Sequence, residues 1–206
     1  MGGPVTDGSS VWALSLADFR DATAADGPTP GCGAAAAVVS DIGLALVLKG
    51  LRISEAHGSE PARRELVAAV ESLIGRPGAF ADADIAAFQS YLHARHDEHA
   101  STDTQAASRQ ACAVPLATAR SSLQALQLAN QAWPRVIAVV QSDVQAGALM
   151  IHAGLCAALV NVQANLGSID DPASREQVAR WHRQLRAQAD DHLQCLSARV
   201  GQSLVG

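Results

Sequence analysis

An all-helical fold, an antiparallel bundle of long helices in one domain over residues 1–206, follows from three observations. Apolar residues recur at helical spacing along most of the chain. Hydrophobic residues make up 49% and charged residues only 17%, with alanine, the strongest helix former, prominent among them. Chain breakers gather in a few short clusters, and neither strand alternation nor a repeat period appears between them.

The elements follow in order. Ser15 is placed to cap a short helix, 16–25, with Leu16, Phe19 and Ala22 on one face. The breaker-rich run 26–33 ends it. Residues 34–54 read as a helix apolar on nearly every side, the pattern of a central buried element. His57-Gly58-Ser59 is a turn, and Pro61 opens a helix to Ile74, where its missing N–H is harmless. Gly75-Arg76-Pro77-Gly78 should break the chain before a helix at 80–94. A polar turn spans 96–103. A long helix, 104–132, is expected to be interrupted at Pro115, and Trp133-Pro134 closes it. Ser142 is the expected cap of a second apolar helix to Leu166, in which Gly147 and Gly154 allow close helix contact. Pro172 begins the last helix, to Ser203, with an apolar stripe through Val178, Trp181, Leu185, Ala189, Leu196 and Val200. Residues 1–13, glycine- and serine-rich at the start, are expected to be flexible.

Composition excludes several roles. Seven aromatic residues and a net charge of −5 offer little for base stacking or phosphate attraction, so nucleic acid is not an expected partner. Cys32, Cys112, Cys156 and Cys195 lie far apart with no CxxC pair, which suits neither a disulfide framework nor a zinc site. The run from Ala34 to Leu48 contains Asp41 and stops at Lys49, too short to span a membrane and better read as a core helix. The start has no signal-peptide pattern, and the cytoplasm is the expected location. His93, His96 and His99 advance in steps of three around a helix in a polar neighbourhood, so no metal site is expected there or elsewhere.

The most informative segment is Pro28-Thr29-Pro30-Gly31-Cys32-Gly33. Two prolines stiffen it, two glycines let backbone N–H groups approach a ligand, and a helix N-terminus follows, a setting for an anionic or carbonyl group. With Ala34-Ala35-Ala36 it resembles the signature PTPGGGSAAA of the formimidoyltetrahydrofolate cyclodeaminase and methenyltetrahydrofolate cyclohydrolase family. Further matches follow in order: Asp84 with Ala87-Phe88, Val114-Pro115-Leu116, Ser142-Asp143, Gly154-Leu155, Asn161-Val162, Asn165 and Asp170-Asp171. The resemblance covers about residues 14 to 175.

It implies an all-helical homodimer with a folate site in a groove near the interface, and a tetrahydrofolate derivative as the small molecule bound. The family chemistry makes and breaks C–N bonds at an amidine-like carbon between two folate nitrogens, which requires a positioned acid or base. Asp143 and Asp84 are the expected catalytic carboxylates. Thr29, Gly31, Cys32, Gly33, Lys49, Arg52, His57, Ser142, Asn161 and Asn165 are the expected substrate contacts.

The departures from the family pattern are specific. The family's lysine run is here Ala56-His57-Gly58-Ser59-Glu60, its Asn-Leu-Thr is Arg52-Ile53-Ser54, its Gly-Asn-x-Asn is Val136-Ile137-Ala138-Val139, and a family arginine is Cys156. Lys49, the single lysine, and Arg52 stand at i and i+3 and are placed to face one groove. The expected site has therefore lost cationic and amide groups. The reading that follows is a divergent cyclodeaminase- or cyclohydrolase-like enzyme acting on a small molecule other than standard folate. A genuine folate enzyme of either type, and a non-catalytic helical dimer serving as a partner protein, are the alternatives.

Overall fold

A computed structural model describes residues 10–96 and 101–203. It contains α1 (Leu16–Ala24), α2 (Cys32–His57), α3 (Pro61–Leu73), α4 (Arg76–His96), α5 (Ser101–Ala132), α6 (Gln141–Asn165) and α7 (Pro172–Ser203), with short 3-10 turns between some of them. No strand occurs among the described residues.

The bundle is organised around α2 and α6, which run antiparallel. Ala36 and Ser40 lie against Gly154, Gly43 against Gly147, and Gly50 against Val144. The backbones all but touch: a Cβ on Gly43 would stand 2.7 Å from the Gly147 carbonyl oxygen, and one on Gly147 would stand 2.5 Å from that of Gly43. No larger residue fits this crossing, as the sequence indicates for Gly147 and Gly154. Around the seam Leu44, Val47, Leu51, Val144, Ile151 and Leu155 are buried. Each such Leu, Val or Ile contributes about 1.5–3 kcal/mol relative to an exposed position.

The other helices close over this pair. α5 packs along α6 and adds Leu116, Leu123 and Leu126 to the same core. Ser122 donates to Ser40 at 2.9 Å, so the two buried hydroxyls satisfy each other. Helical structure continues through Pro115 instead of stopping there. Buried neighbours on both sides, Val114 and Leu116, hold the segment although one backbone hydrogen bond is missing. α7 lays Val178, Leu185, Ala189 and Leu196 against the core, and Asp171 caps it by accepting from the Ser174 N–H at 2.8 Å.

Several local expectations change. Ser15 caps α1 as its sequence suggests, but the helix buries no residue and Leu16 is 78% exposed, because α1 lies on the rim. The break after α3 is carried by Gly75 alone, at φ +82°. α4 then starts at Arg76, with Pro77 in a first turn that needs no N–H from it. Ser142 does not cap α6; Val140 holds the cap position, and Ser142 falls in the first turn. Residues 10–13, within the segment expected to be flexible, are tied to α4: the Val11 N–H donates to Asp82 at 2.8 Å and the Trp12 indole to the Gly78 carbonyl at 3.0 Å.

α2 spans 26 residues, longer than its sequence indicates, and both it and 138–168 are long and apolar enough to cross a membrane by length and composition. Of the most apolar window, 61% is buried inside the bundle in α2 and 44% in 138–168. His96 has no described side chain and His99 lies outside the described residues, so the histidine series is not described as a group.

Candidate active site

The glycine-rich loop, Asp84 and two asparagines meet at one end of the α2–α6 pair. Pro30 is buried, Gly31 holds the cap position of α2 in extended backbone, and the helix begins at Cys32. Asp84 comes from α4 and sets its carboxylate over this N-terminus. The Ala34 N–H donates to it, and a Cβ on Gly33 would overlap it. From α6, Asn161 Nδ2 donates to Asp84 Oδ1 at 3.0 Å. Asn165, one turn further on, donates through Nδ2 to Asn161 Oδ1 at 3.1 Å and to the Ala111 backbone carbonyl of α5 at 3.0 Å. Four helices thus fix one half-buried carboxylate.

Burial dominates the electrostatics there. Burial raises the Asp84 pKa, against the lowering effect of the Ala34 and Asn161 hydrogen bonds. Cys32 is exposed as a residue, yet partial burial of its thiol and the adjacent Asp84 carboxylate push its pKa up. Its sulfur therefore favours the neutral form, and the ionisable centre of this end is Asp84. Thr29 is half-buried at the loop and precedes Pro30 through a cis peptide.

The remaining expected residues lie elsewhere. Asp143 is at the start of α6, 18 positions before Asn161, which places it roughly 27 Å away along the helix. There its carboxylate pairs with Lys49 Nζ at 3.0 Å, with Lys49 55% and Asp143 26% exposed. Ser142 beside it is exposed. Lys49 and Arg52 do not converge on one groove: Arg52 turns to Glu71 of α3, at 2.8 Å. His57, the last residue of α2 and not part of a turn, is exposed, with Nδ1 2.8 Å from the Ile53 carbonyl. Within one chain, then, Thr29, Gly31, Cys32, Gly33, Asp84, Asn161 and Asn165 come together, while Lys49, Arg52, His57, Ser142 and Asp143 lie toward the opposite end.

Sequence reasoning also missed two clusters. Asp41, buried in α2, accepts from the Gly75 N–H at 2.8 Å and anchors the α3–α4 turn. Its position in an apolar run was the available signal. The second comprises His152 and Cys156 of α6 with Asp190 of α7. Two surface cavities, about 470 Å³ between α5 and α7 and about 520 Å³ between α3 and α5, are lined by none of the expected site residues.

Helical architecture, an extended glycine loop at the head of the first core helix, and a carboxylate seated on it define a cyclodeaminase-type fold. The family model described as formiminotransferase-cyclodeaminase matches residues 15–184, and the chain belongs to that family. The structure is similar to the crystal structure of formiminotetrahydrofolate cyclodeaminase from Thermotoga maritima, with a TM-score of 0.88 and 25% sequence identity over 95% of this chain and 100% of that one. Comparison with curated protein sequences gives no match.

Proposed function

We propose that the protein is a divergent cyclodeaminase- or cyclohydrolase-like enzyme that forms or opens a ring by C–N chemistry on a small molecule other than standard folate. The observation that carries the reading is Asp84, a carboxylate of raised pKa held on the α2 N-terminus by Ala34 and Asn161. Such a group holds a proton closer to neutral pH than an ordinary aspartate, as transfer to or from a substrate nitrogen requires. Thr29, Gly31, Cys32 and Gly33 surround the reacting carbon, and the exposed loop backbone complements a carbonyl or anionic group.

Asp143 joins this chemistry from a second copy of the chain. α6 bears an exposed, largely apolar stripe through Ala146, Leu149, Ala153, Val160 and Ala164, with Ala45 of α2 also exposed. The stripe centres near Ala153, close to midway between Asp143 and Asn161. A two-fold axis crossing it would place one protomer's Lys49, Ser142 and Asp143 over its partner's Asp84 loop. Arg52 and His57 would then border the far side of the substrate. The site is in this reading a cytoplasmic homodimer's composite groove.

The substrate differs from folate because the positions of the family's lysine run hold Ala56-His57-Gly58-Ser59-Glu60, and Lys49 is engaged by Asp143. The likeness to a formiminotetrahydrofolate cyclodeaminase favours the second reading, a genuine folate enzyme. Incubation with formimidoyl- and methenyl-tetrahydrofolate, and in parallel with cyclic and open-chain amidines lacking the pteridine, separates the two. Ammonia release or ring opening confined to the non-folate amidines supports the first. Turnover of a folate at micromolar concentration overturns it, and inertness toward every amidine removes the enzymatic reading.

A further inference from the structure

We propose that His152, Cys156 and Asp190 form a zinc-type metal site that clips α7 onto α6. His152 and Cys156 stand one turn apart on α6, and Asp190 reaches them from α7. Their donor atoms all lie within 4.8 Å of one another. Nε2 of His152 is 2.7 Å from Asp190 Oδ1, and Cys156 Sγ is 3.7 Å from the same nitrogen. Around a tetrahedral zinc with ordinary Zn–N and Zn–S bonds, nitrogen and sulfur stand about 3.5 Å apart, and nitrogen and oxygen about 3.3 Å apart. The nitrogen–sulfur separation therefore already suits an ion, while the imidazole must turn to aim Nε2 between sulfur and carboxylate, and the carboxylate must retreat by about half an ångström.

The donor set selects the metal. One thiolate, one imidazole and one carboxylate form a mixed borderline site of the kind zinc and cobalt(II) favour, with a fourth position left to water. Two helices of a bundle contribute, with two donors at i and i+4 on one of them. Arg186 grips Asp190 through Nε at 3.0 and 2.9 Å from its two oxygens and orients the carboxylate from outside. Binding exchanges the thiol proton for the metal: the Cys156 S–H bond breaks, a metal–sulfur bond forms, and the proton leaves to solvent.

A Cys-His-Asp proton relay is the alternative use of the same three residues. In such a relay one imidazole nitrogen points at the sulfur and the other at the carboxylate. Here the sulfur is 3.8 Å from Nδ1 and 3.7 Å from Nε2, so the relay and the metal site alike require the imidazole to turn, and metal titration separates them.

Titrating the metal-free full chain with Co²⁺ should give one thiolate-to-cobalt charge-transfer band that saturates at one ion per chain, and Zn²⁺ should abolish it by displacement. The same Zn²⁺ should raise the melting temperature, since a ligand of the folded state stabilises it by mass action. Cys156→Ser should lose the band, and His152→Gln should weaken Co²⁺ binding by at least about a hundredfold, more than an outer partner is worth. Cys195→Ser, altering an exposed thiol elsewhere on α7, should keep both. Circular dichroism on each variant guards against unfolding. Absence of the band at 1 ion per chain, or its survival in folded Cys156→Ser, overturns the proposal.

Discussion

The Asp84 carboxylate rests directly on the α-carbon of Gly33, where any side chain would overlap it. A glycine is thus required for close approach of a side chain to the helix head, not for an unusual backbone angle. Gly33→Ala must displace the carboxylate from the Ala34 N–H and from Asn161. Loss of a partly buried charged hydrogen bond costs about 1–3 kcal/mol. A lower melting temperature with retained helicity, and at least about a hundredfold less turnover, is the expected result. Unchanged turnover would separate Asp84 from the chemistry.

Asp84→Asn tests the charge itself. Burial raises the carboxyl pKa in the folded chain, so the folded state holds the proton more tightly than the unfolded one. Stability contributed by this group is complete below the ordinary carboxylate pKa of about 3.9 and declines as pH rises through the higher folded value. The amide has no such decline. The melting temperature of Asp84→Asn relative to wild type should therefore be greater at pH 7 than at pH 3.5. A difference independent of pH would show that Asp84 titrates normally.

Subunit mixing tests whether Asp84 and Asp143 act together across two copies. Asp143→Asn should fold normally, since its pair with the exposed Lys49 is worth only about 0–1 kcal/mol. Each single variant should lose about a hundredfold to ten-thousandfold in rate. After subunits of Asp84→Asn and Asp143→Asn are exchanged, half the dimers contain one fully native site. Activity should recover to about a quarter of wild type. No recovery, with exchange verified by mass spectrometry, would confine the site to one chain.

Leu149→Arg should leave the bundle intact and abolish the dimer. Leu149 is 49% exposed and packs on no core cluster, so the chain itself loses less than about 0.5 kcal/mol. In a face-to-face contact across α6, each chain would bury an arginine in the other's apolar stripe, about one turn from the axis. Light scattering at tens of micromolar should report a dimer for wild type and a monomer for the variant. A wild-type monomer at that concentration would remove the composite groove.

The fold was legible because its signals are local. Ser15, Pro61 and Pro172 mark helix starts, and Gly147 and Gly154 mark close contact on an otherwise apolar helix. The loop and Asp84 were legible only through the order of short motifs, since nothing around Asp84 announces that α4 returns to the head of α2. Asn161 and Asn165 stand one turn apart, and both join the cluster. The separation of Asp143 from Asn161 was also readable, as 18 residues of one helix cannot fold back on themselves. Lys49 and Arg52 misled because i,i+3 spacing fixes proximity but not which neighbouring helix supplies each partner; Asp143 and Glu71 draw them apart. His152 and Cys156 showed their spacing, but Asp190 joins them only through α7 packing.

The ion pair of Lys49 with Asp143 has a practical consequence, because Lys49 is the single lysine of the sequence. An amine-reactive dye has just one side chain to find, and the amino terminus can be avoided by working above neutral pH after terminal acetylation. A fluorophore attached there would sit at a known point beside α6, its emission set by that carboxylate and by anything docking over it. Two such labels on paired chains would report their separation directly by energy transfer. The molecule carries a ready single-site handle without any residue being changed.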